Sequence, residues 1–139
     1  MEIKIENFLT PEEYNSLVSS VGWKTKNFKI VEHAINSSTI VKKAIVDNIT
    51  VGMGRAIGDG MSYLISDVVV NPNYQRKGIG KKIMMEILND ISKLTLPNES
   101  CSVNLISFSG KEVFYEQCGF SKTPYDYNGY GMKMKITNA

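Results

Sequence analysis

One segment, residues 67–85, constrains the fold more than any other, because in it a strand pattern passes directly into a helix pattern. Residues 68–70 are three consecutive valines, and an unbroken run of β-branched side chains suits a strand that is buried on both faces. Proline and asparagine in residues 71–73 end that strand, since proline lacks a backbone N–H and asparagine favours turns. From Ile83 onward apolar residues recur at helical spacing, which predicts an amphipathic helix. Residues 75–80 should therefore lie at the helix N-terminus.

This predicted helix N-terminus combines two glycines with a cluster of cations. Gly78 and Gly80 would let the backbone approach a ligand closely, and the first turn of a helix has free N–H groups and a partial positive charge. Exposed cations oppose that charge by about 0.3–1 kcal/mol each, so a phosphate or diphosphate would turn the conflict into a binding site. A basic, solvated helix start is the structural alternative. The cations are Arg76, Lys77, Lys81 and Lys82.

Two common phosphate-binding motifs do not fit this segment. A Walker loop has four residues between its glycines and ends in Gly-Lys-Ser/Thr, whereas one residue separates Gly78 from Gly80. A dinucleotide-binding fingerprint needs a third glycine, and Ile83 occupies that position. A phosphate site here therefore requires a different motif.

Length, composition and charge narrow the class of protein. A chain of 139 residues predicts one domain over residues 1–139, and contents of 42% hydrophobic and 22% charged residues are typical of globular proteins. The net charge of +2 is too small to predict binding to nucleic acid or to a membrane surface. The first residues lack the apolar core of a signal peptide, and no apolar run is long enough to span a bilayer.

Cysteine and histidine usage argues against a metalloprotein. Cys101 and Cys118 are far apart and lack the spacing of metal ligands, and His33 is the single histidine. We therefore expect no protein-bound metal, and we expect both thiols to be reduced in a cytoplasmic protein.

The remaining pattern predicts a mixture of helices and strands. Thr10, Pro11 and Glu13 form the signature of a capped helix start, and a second helix is predicted over residues 28–37. Strands are predicted over residues 2–6, 39–46, 50–57, 61–70, 100–107, 120–123 and 130–136, with a short helix beginning near Ser109. The strand over 100–107 should run parallel to the one over 61–70, because a crossover helix separates them.

Two motifs in this order resemble the signatures of the GNAT superfamily of N-acetyltransferases. The first, Gln/Arg-x-x-Gly-x-Gly/Ala, is matched by Gln75, Gly78 and Gly80 between a strand and a helix. The second, Phe-Tyr-x-x-x-Gly-Phe, is matched by residues 114–120, and the sequences around it resemble a subset of small bacterial members. The chain departs from the pattern where many relatives carry an asparagine shortly before Phe-Tyr, since residues 108–109 are Phe-Ser. Otherwise the predicted elements follow the family order over essentially the whole chain.

The resemblance implies a fold and an acyl donor. The implied fold is the α/β (α+β) GNAT, or acyl-CoA N-acyltransferase, fold, with a mixed, mostly antiparallel sheet of six to seven strands, a splayed central parallel pair and about four helices. The implied co-substrate is acetyl-CoA, whose pantetheine arm would pair with a strand in the splay and whose diphosphate would lie on the amides of the helix start. The residues that this places at acetyl-CoA are Val68, Val69, Val70, Gln75, Arg76, Lys77, Gly78, Ile79, Gly80 and Lys81.

The resemblance also implies direct attack on the thioester by a primary amine of a small molecule in a ternary complex. Tyr115 aligns with the tyrosine that protonates the leaving CoA thiolate in many relatives, a role that suits a phenol because it stays protonated at neutral pH. Packing alone is the alternative for Tyr115. Asp67, Glu32 and His33 are candidates for the base, and a water relay is an adequate substitute for all three.

Other readings of the sequence stay open. A non-catalytic acyl-CoA sensor or partner-binding module would keep the fold and bind CoA without transferring the acyl group. A nucleic-acid contact at the basic helix start is disfavoured, because no aromatic stacking platform adjoins the cations. The acceptor amine is not specified, although Trp23 and the tyrosines near residues 124–130 hint at an aromatic pocket wall. A monomer and a homodimer are both compatible with the sequence.

Overall fold

The computed structural model describes residues 1–138, which divide into two compact units, Met1–Leu105 and the part from Ile106 onward. The N-terminal unit contains most of the regular structure, and the prediction of a single domain over residues 1–139 stays a prediction. Its elements are β1 (Lys4–Glu6), α1 (Pro11–Ser20), α2 (Phe28–Asn36), β2 (Ile40–Val46), β3 (Ile49–Gly58), β4 (Ser62–Val70), a 3-10 turn (Pro72–Tyr74), α3 (Ile79–Leu94) and β5 (Ser102–Asn104). The C-terminal unit contains α4 (Glu112–Gln117).

The N-terminal unit is built on one mixed sheet with the strand order β1-β2-β3-β4-β5. Neighbouring strands are antiparallel except for β4 and β5, which are parallel. The parallel pairing covers only Ser62 to Leu64 of β4, opposite Ser102 to Asn104. Within the described chain, residues 65–70 of β4 therefore have no strand partner on that side. This arrangement confirms the predicted mixed, mostly antiparallel fold with four helices and a splayed parallel pair.

The structure corrects the predicted number of strands. In the part of the chain that is described, residues 120–123 and 130–136 form no strand, and an isolated bridge between Tyr125 and Asn128 is the one β-pairing there. The sheet thus has five strands rather than six to seven, and the parallel pair lies at its edge rather than at its centre. Alternating apolar residues can form a strand only where they find a partner strand and a surface to cover, and Met132 is 92% exposed.

Helix α3 covers one face of the sheet at close range. A side chain added at Gly52 or Gly54 of β3 would meet Ile83 at about 3 Å, so only glycine lets the helix lie this near the strand. The helical periodicity of the sequence is confirmed, because the buried side chains of α3 recur along one stripe. These are Ile79, Ile83, Met84, Ile87 and Ile91.

Helices α1 and α2 cover the opposite face. Their buried side chains pack with Met53 of β3 and Val69 of β4 in one apolar cluster, to which α1 contributes Tyr14, Leu17 and Val18 and α2 contributes Val31. The predicted cap of α1 is confirmed: the Glu13 N–H donates to Thr10 Oγ1 at 3.1 Å, and the Thr10 N–H donates to Glu13 Oε1 at 2.9 Å. These bonds fix the first turn of α1.

The Glu13 carboxylate also links α1 to the sheet. It forms an ion pair with the buried Lys43 of β2 at 2.9 Å and accepts a hydrogen bond from the Thr50 hydroxyl of β3. Burial alone would raise the pKa of Glu13, but the hydrogen bonds from Thr50, from the Thr10 N–H and from Lys43 outweigh it and lower the pKa to about 2. Glu13 is therefore a charged group that the fold stabilises.

We expect the Glu13→Gln variant to be less stable than the wild type at neutral pH and to lose less of its free energy of unfolding when the pH is lowered. The folded pKa of about 2 lies below the ordinary value of 4.5, so the contribution of this carboxylate is complete above 4.5 and is lost as the pH falls toward 2. Glutamine preserves the cap but leaves Lys43 buried without its counter-ion, which typically costs about 3 kcal/mol. Urea denaturation of both proteins at about pH 7 and about pH 3 measures the two effects. Equal acid sensitivity of the two proteins would contradict this account.

Candidate functional site

The segment between β4 and α3 is tied firmly to the sheet. The Asn71 N–H donates to the Val51 carbonyl at 2.8 Å, and the Asn71 side chain accepts from the Asn73 N–H at 2.9 Å. The Gln75 amide then reaches back and donates to the Val70 carbonyl at 2.9 Å. These bonds hold the turn in place, so the residues that follow Gln75 have a defined path into the helix.

The path into α3 uses two left-handed residues. Arg76 has φ +62° and Gly78 has φ +82°, and Gly78 is the N-cap of α3. Alternating left-handed and ordinary conformations turn successive N–H groups toward a common concavity, which is an anion-binding geometry. Within the described chain no side chain caps α3, so the amides of its first turn have no capping acceptor. A side chain added at Gly78 would meet nothing within 4 Å, which shows that the space beside this glycine is open.

The side chains at the helix start divide into an anchor and an exposed set. Ile79 is buried and packs beside Gly52 of β3, so this residue can offer a ligand only its main chain. Gln75, Arg76, Lys77, Gly78 and Lys81 are exposed. The helix start therefore presents main-chain N–H groups and cations together, while its apolar residue fixes it to the core.

Strand β4 brings the valines at residues 68–70 next to this helix start. Val69 is buried in the cluster beneath α1 and α2, whereas Val68 and Val70 are half-buried. The pairing with β5 has ended before these residues, so one edge of the strand is open for main-chain hydrogen bonding within the described chain. The open edge of β4 and the uncapped start of α3 are thus joined by an eight-residue connection, residues 71–78.

The candidate bases differ in their surroundings. Asp67 is in an ion pair with Arg55, whose Nε lies 2.8 Å from Asp67 Oδ2, and the Tyr14 hydroxyl also hydrogen-bonds this carboxylate. Burial first, and then the charge of Asp67, raises the pKa of Tyr14. Glu32 and His33 are both exposed on α2. Two protein donors already engage the Asp67 carboxylate within the fold, so the structure disfavours Asp67 as the base.

Tyr115 lies in the C-terminal unit, on α4. Its ring is half-buried and packs edge-to-face against Phe114 and Phe120, with centroid distances of 5.0 and 6.2 Å. Burial raises the pKa of the Tyr115 phenol, and the neighbouring Cys118 raises it further. The Phe-Tyr-x-x-x-Gly-Phe motif is thus a packing unit that keeps this phenol protonated.

A family model described as "Acetyltransferase (GNAT) domain" matches residues 37–122, which include the helix start and α4. This chain belongs to the GNAT acetyltransferase family. The family carries out acyl transfer to small-molecule or protein acceptors, and acyl transfer is the general activity of this GNAT protein.

Individual relatives agree with the family assignment. "Uncharacterized N-acetyltransferase ycf52" of Porphyra purpurea is 31% identical over 122 residues, which cover 84% of this GNAT chain and 68% of that protein. The solved structure of SA2161, a probable acetyltransferase of unknown function from methicillin-resistant Staphylococcus aureus, has a TM-score of 0.80 at 27% identity and covers 96% of this chain and all of that one. The GNAT family protein SP0256 of Streptococcus pneumoniae has a TM-score of 0.76 at 28% identity, covering 99% and 98% of the two chains.

The described residues contain neither a candidate metal site nor a candidate membrane-spanning helix. No group of three or more histidine, cysteine, aspartate or glutamate side chains among them is arranged to hold a metal ion. None of the helices in residues 1–138 has both the length and the apolar character needed to cross a membrane.

Sequence reasoning missed two residues of the N-terminal unit, Tyr14 and Arg55. The sequence pattern singles out neither residue: Tyr14 stands at an apolar position of α1, and Arg55 lies within a strand. Both contact Asp67, from 53 and 12 positions away in the sequence. A hydrophobic pattern carries no information about such polar contacts. The one sign of them in the sequence is an arginine that stands alone within an apolar strand.

Proposed function

We propose that this protein is an acetyl-CoA-dependent N-acetyltransferase that acts on the primary amine of a small molecule. The observation that carries the proposal is the uncapped start of α3, where two left-handed residues and exposed cations lie together and the space beside Gly78 is open. Anions bind at such positions because the main-chain N–H groups and the helix dipole both favour negative charge. The diphosphate of acetyl-CoA carries that charge, and Gln75 through Lys81 would hold it.

The open edge of β4 supports a site for the rest of the donor. A pantetheine arm contains two amide groups, and these would pair with the main chain of Val68, Val69 and Val70 as an additional strand would. Residues 65–70 have no strand partner on this side in the described chain, because β5 pairs only with the first part of β4; among their main-chain groups, the Val70 carbonyl already accepts a hydrogen bond from the Gln75 amide. The thioester would then lie at the point where the two parallel strands separate.

The reaction in this proposal is a direct acyl transfer. The nitrogen lone pair of the amine attacks the thioester carbonyl carbon, a C–N bond forms, and the C–S bond breaks. A main-chain N–H of β4 would stabilise the oxyanion, water would take the proton from the amine, and Tyr115 would donate its phenolic proton to the CoA thiolate and regain one from solvent. A phenol is protonated at neutral pH even at its ordinary pKa, and burial raises the pKa of Tyr115 further, so the proton is present when the thiolate leaves.

The cytoplasm is the compartment that we propose for this activity. Cys101 is a reduced thiol, and reducing compartments keep thiols in that state.

A non-catalytic acyl-CoA-binding protein is the second candidate function. The observation that favours it is the occupied carboxylate of Asp67, which leaves the amine without an obvious protein base near β4. Such a protein would bind the donor at the same helix start and would release no thiol in the presence of amines.

An amine-panel assay separates the two functions. The protein is incubated with acetyl-CoA and each of a broad set of small primary amines, and the free thiol of CoA is measured. We expect thiol release with at least one amine, with mass spectrometry showing the acetylated product. Binding of acetyl-CoA without thiol release from any amine in the panel would favour the second function.

A further inference from the structure

Strand β4 contains a bulge at Asp67 and Val68, where the run of three valines begins. In the pairing of β3 with β4, Arg55 is opposite Ser66 and Met53 is opposite Val69. One residue of β3, Gly54, therefore faces two residues of β4, Asp67 and Val68. Asp67 adopts φ +55°, the left-handed conformation that non-glycine residues rarely occupy. These features define a β-bulge, which bends a strand and changes the direction of its main-chain groups.

The bulge changes which face of the sheet each side chain of β4 lies on and which edge of the strand each main-chain group points to. Ser66 is opposite Arg55 on the α1 side of the sheet, and Asp67, the next residue, contacts Arg55 on that same side. Val68 then lies near Gly54 on the α3 side, and Val69 lies in the cluster beneath α1. Because the alternation is reset at Asp67, the bulge decides which N–H and C=O groups of residues 68–70 point to the open edge of β4.

Four elements hold this bulge through one polar network. Arg55 of β3 donates through Nε to Asp67 of β4 at 2.8 Å and through Nη1 to the Ser38 hydroxyl at 3.3 Å. Ser38, which follows α2, in turn donates to the Ala34 carbonyl at 2.7 Å. Tyr14 of α1 hydrogen-bonds the same Asp67 carboxylate. The Arg55 and Asp67 side chains are only 14% and 18% exposed, so this network is largely shielded from water.

We propose that Arg55 and Asp67 are positioning residues for the acyl donor: their ion pair fixes the bulge and thereby sets which main-chain groups of residues 68–70 face the donor. The proposal rests on the proposed function, since it concerns the same acetyl-CoA site. Neither side chain reacts in this account. Their effect passes through the backbone of β4, since the hydrogen bonds to the Asp67 carboxylate offset the strain of its left-handed conformation.

Substitutions at Asp67 test the proposal by separating its charge from its backbone conformation. Asp67→Ala removes the carboxylate and disfavours the left-handed conformation, whereas Asp67→Asn removes the charge but tolerates that conformation. We expect Asp67→Ala to weaken acetyl-CoA binding by about tenfold, a factor equivalent to about 1.4 kcal/mol, and we expect Asp67→Asn to fall between it and the wild type. The Arg55→Gln/Asp67→Asn double variant should bind acetyl-CoA no more weakly than the more impaired of the two single variants, Arg55→Gln and Asp67→Asn, because both substitutions remove the same ion pair.

The readouts distinguish positioning from general stability. Isothermal titration gives the dissociation constant of acetyl-CoA at a temperature where circular dichroism shows each variant folded. Steady-state kinetics should show a raised KM for acetyl-CoA and a KM for the amine close to that of the wild type. Glu13→Gln is the matched control, because it also breaks a buried ion pair but away from β4; it should lose stability and keep its affinity for acetyl-CoA.

Three results would overturn the inference. The first is wild-type affinity for acetyl-CoA in folded Asp67→Ala and Asp67→Asn. The second is an equal loss of affinity in Glu13→Gln, which would attribute the effect to stability alone. The third is a wild-type protein that does not bind acetyl-CoA: this removes the proposed function and the inference together, and the wild-type titration distinguishes it from the other two.

Discussion

Replacement of Gly78 by valine is expected to weaken acetyl-CoA binding by about 10²-fold or more, equivalent to about 2.7 kcal/mol. Gly78 has φ +82°, and the space beside its Cα is open, so a valine side chain would project into the concavity where the diphosphate is proposed to lie. The left-handed conformation also strains a β-branched residue by about 1–2 kcal/mol, which would displace the amides of the first turn. Thermal denaturation with and without acetyl-CoA measures the loss, since a ligand that binds the folded state raises Tm.

Gly60→Val is the matched control for this prediction. Gly60 has φ +93° and equally open surroundings, but it lies in the turn between β3 and β4, away from the helix start. Its valine variant should therefore carry a similar strain and show the same Tm increase with acetyl-CoA as the wild type. A Gly78→Val protein that keeps the wild-type increase would show that the amides at this helix start do not bind the donor.

Replacement of Tyr115 by phenylalanine is expected to lower kcat by about 10²-fold, the low end of the range for general acids. The substitution removes only the hydroxyl, so the edge-to-face contacts with Phe114 and Phe120 should persist and the protein should stay folded. The affinity for acetyl-CoA should be close to that of the wild type, because the phenol acts after the donor has bound. Single-turnover measurements with saturating acetyl-CoA isolate the acyl-transfer step from donor binding and product release.

The pH dependence of kcat provides a second test of Tyr115 as the general acid. Burial raises the pKa of this phenol, so the wild-type protein should keep its general acid throughout the pH range in which an ordinary tyrosine stays protonated. Tyr127→Phe is the control, since Tyr127 is 90% exposed and its predicted place in an aromatic pocket wall concerns the acceptor rather than proton donation; its pH dependence should match that of the wild type. A Tyr115→Phe variant with the same kcat as the wild type would leave Tyr115 a packing residue.

Local chemical patterns in the sequence predicted much of the N-terminal unit. The cap formed by Thr10 and Glu13 and the apolar stripe of α3 depend on residues three or four positions apart, so they are legible in the sequence alone. The strand-turn-helix order around Gly78 was predicted for the same reason. The left-handed residues were not predicted: glycine at Gly78 permits that conformation, whereas the left-handed Arg76 carries no such signal.

The remaining features depend on contacts that sequence patterns do not specify. The bulge at Asp67 arises from the register between β3 and β4, and its stabilising arginine comes from the neighbouring strand. Residues 130–136 alternate as a strand does, but in the described chain they have no strand partner. A pattern states what a segment can form, whereas pairing and burial decide what it does form.

A crystal structure of the protein with acetyl-CoA bound tests the central claim most directly. The account predicts diphosphate oxygens about 2.7–3.2 Å from the main-chain nitrogens between Gln75 and Lys81, with the pantetheine arm along the open edge of Val68 to Val70. Acetyl-CoA bound with its diphosphate elsewhere on the protein, or a helix start left empty at saturating donor, would contradict it.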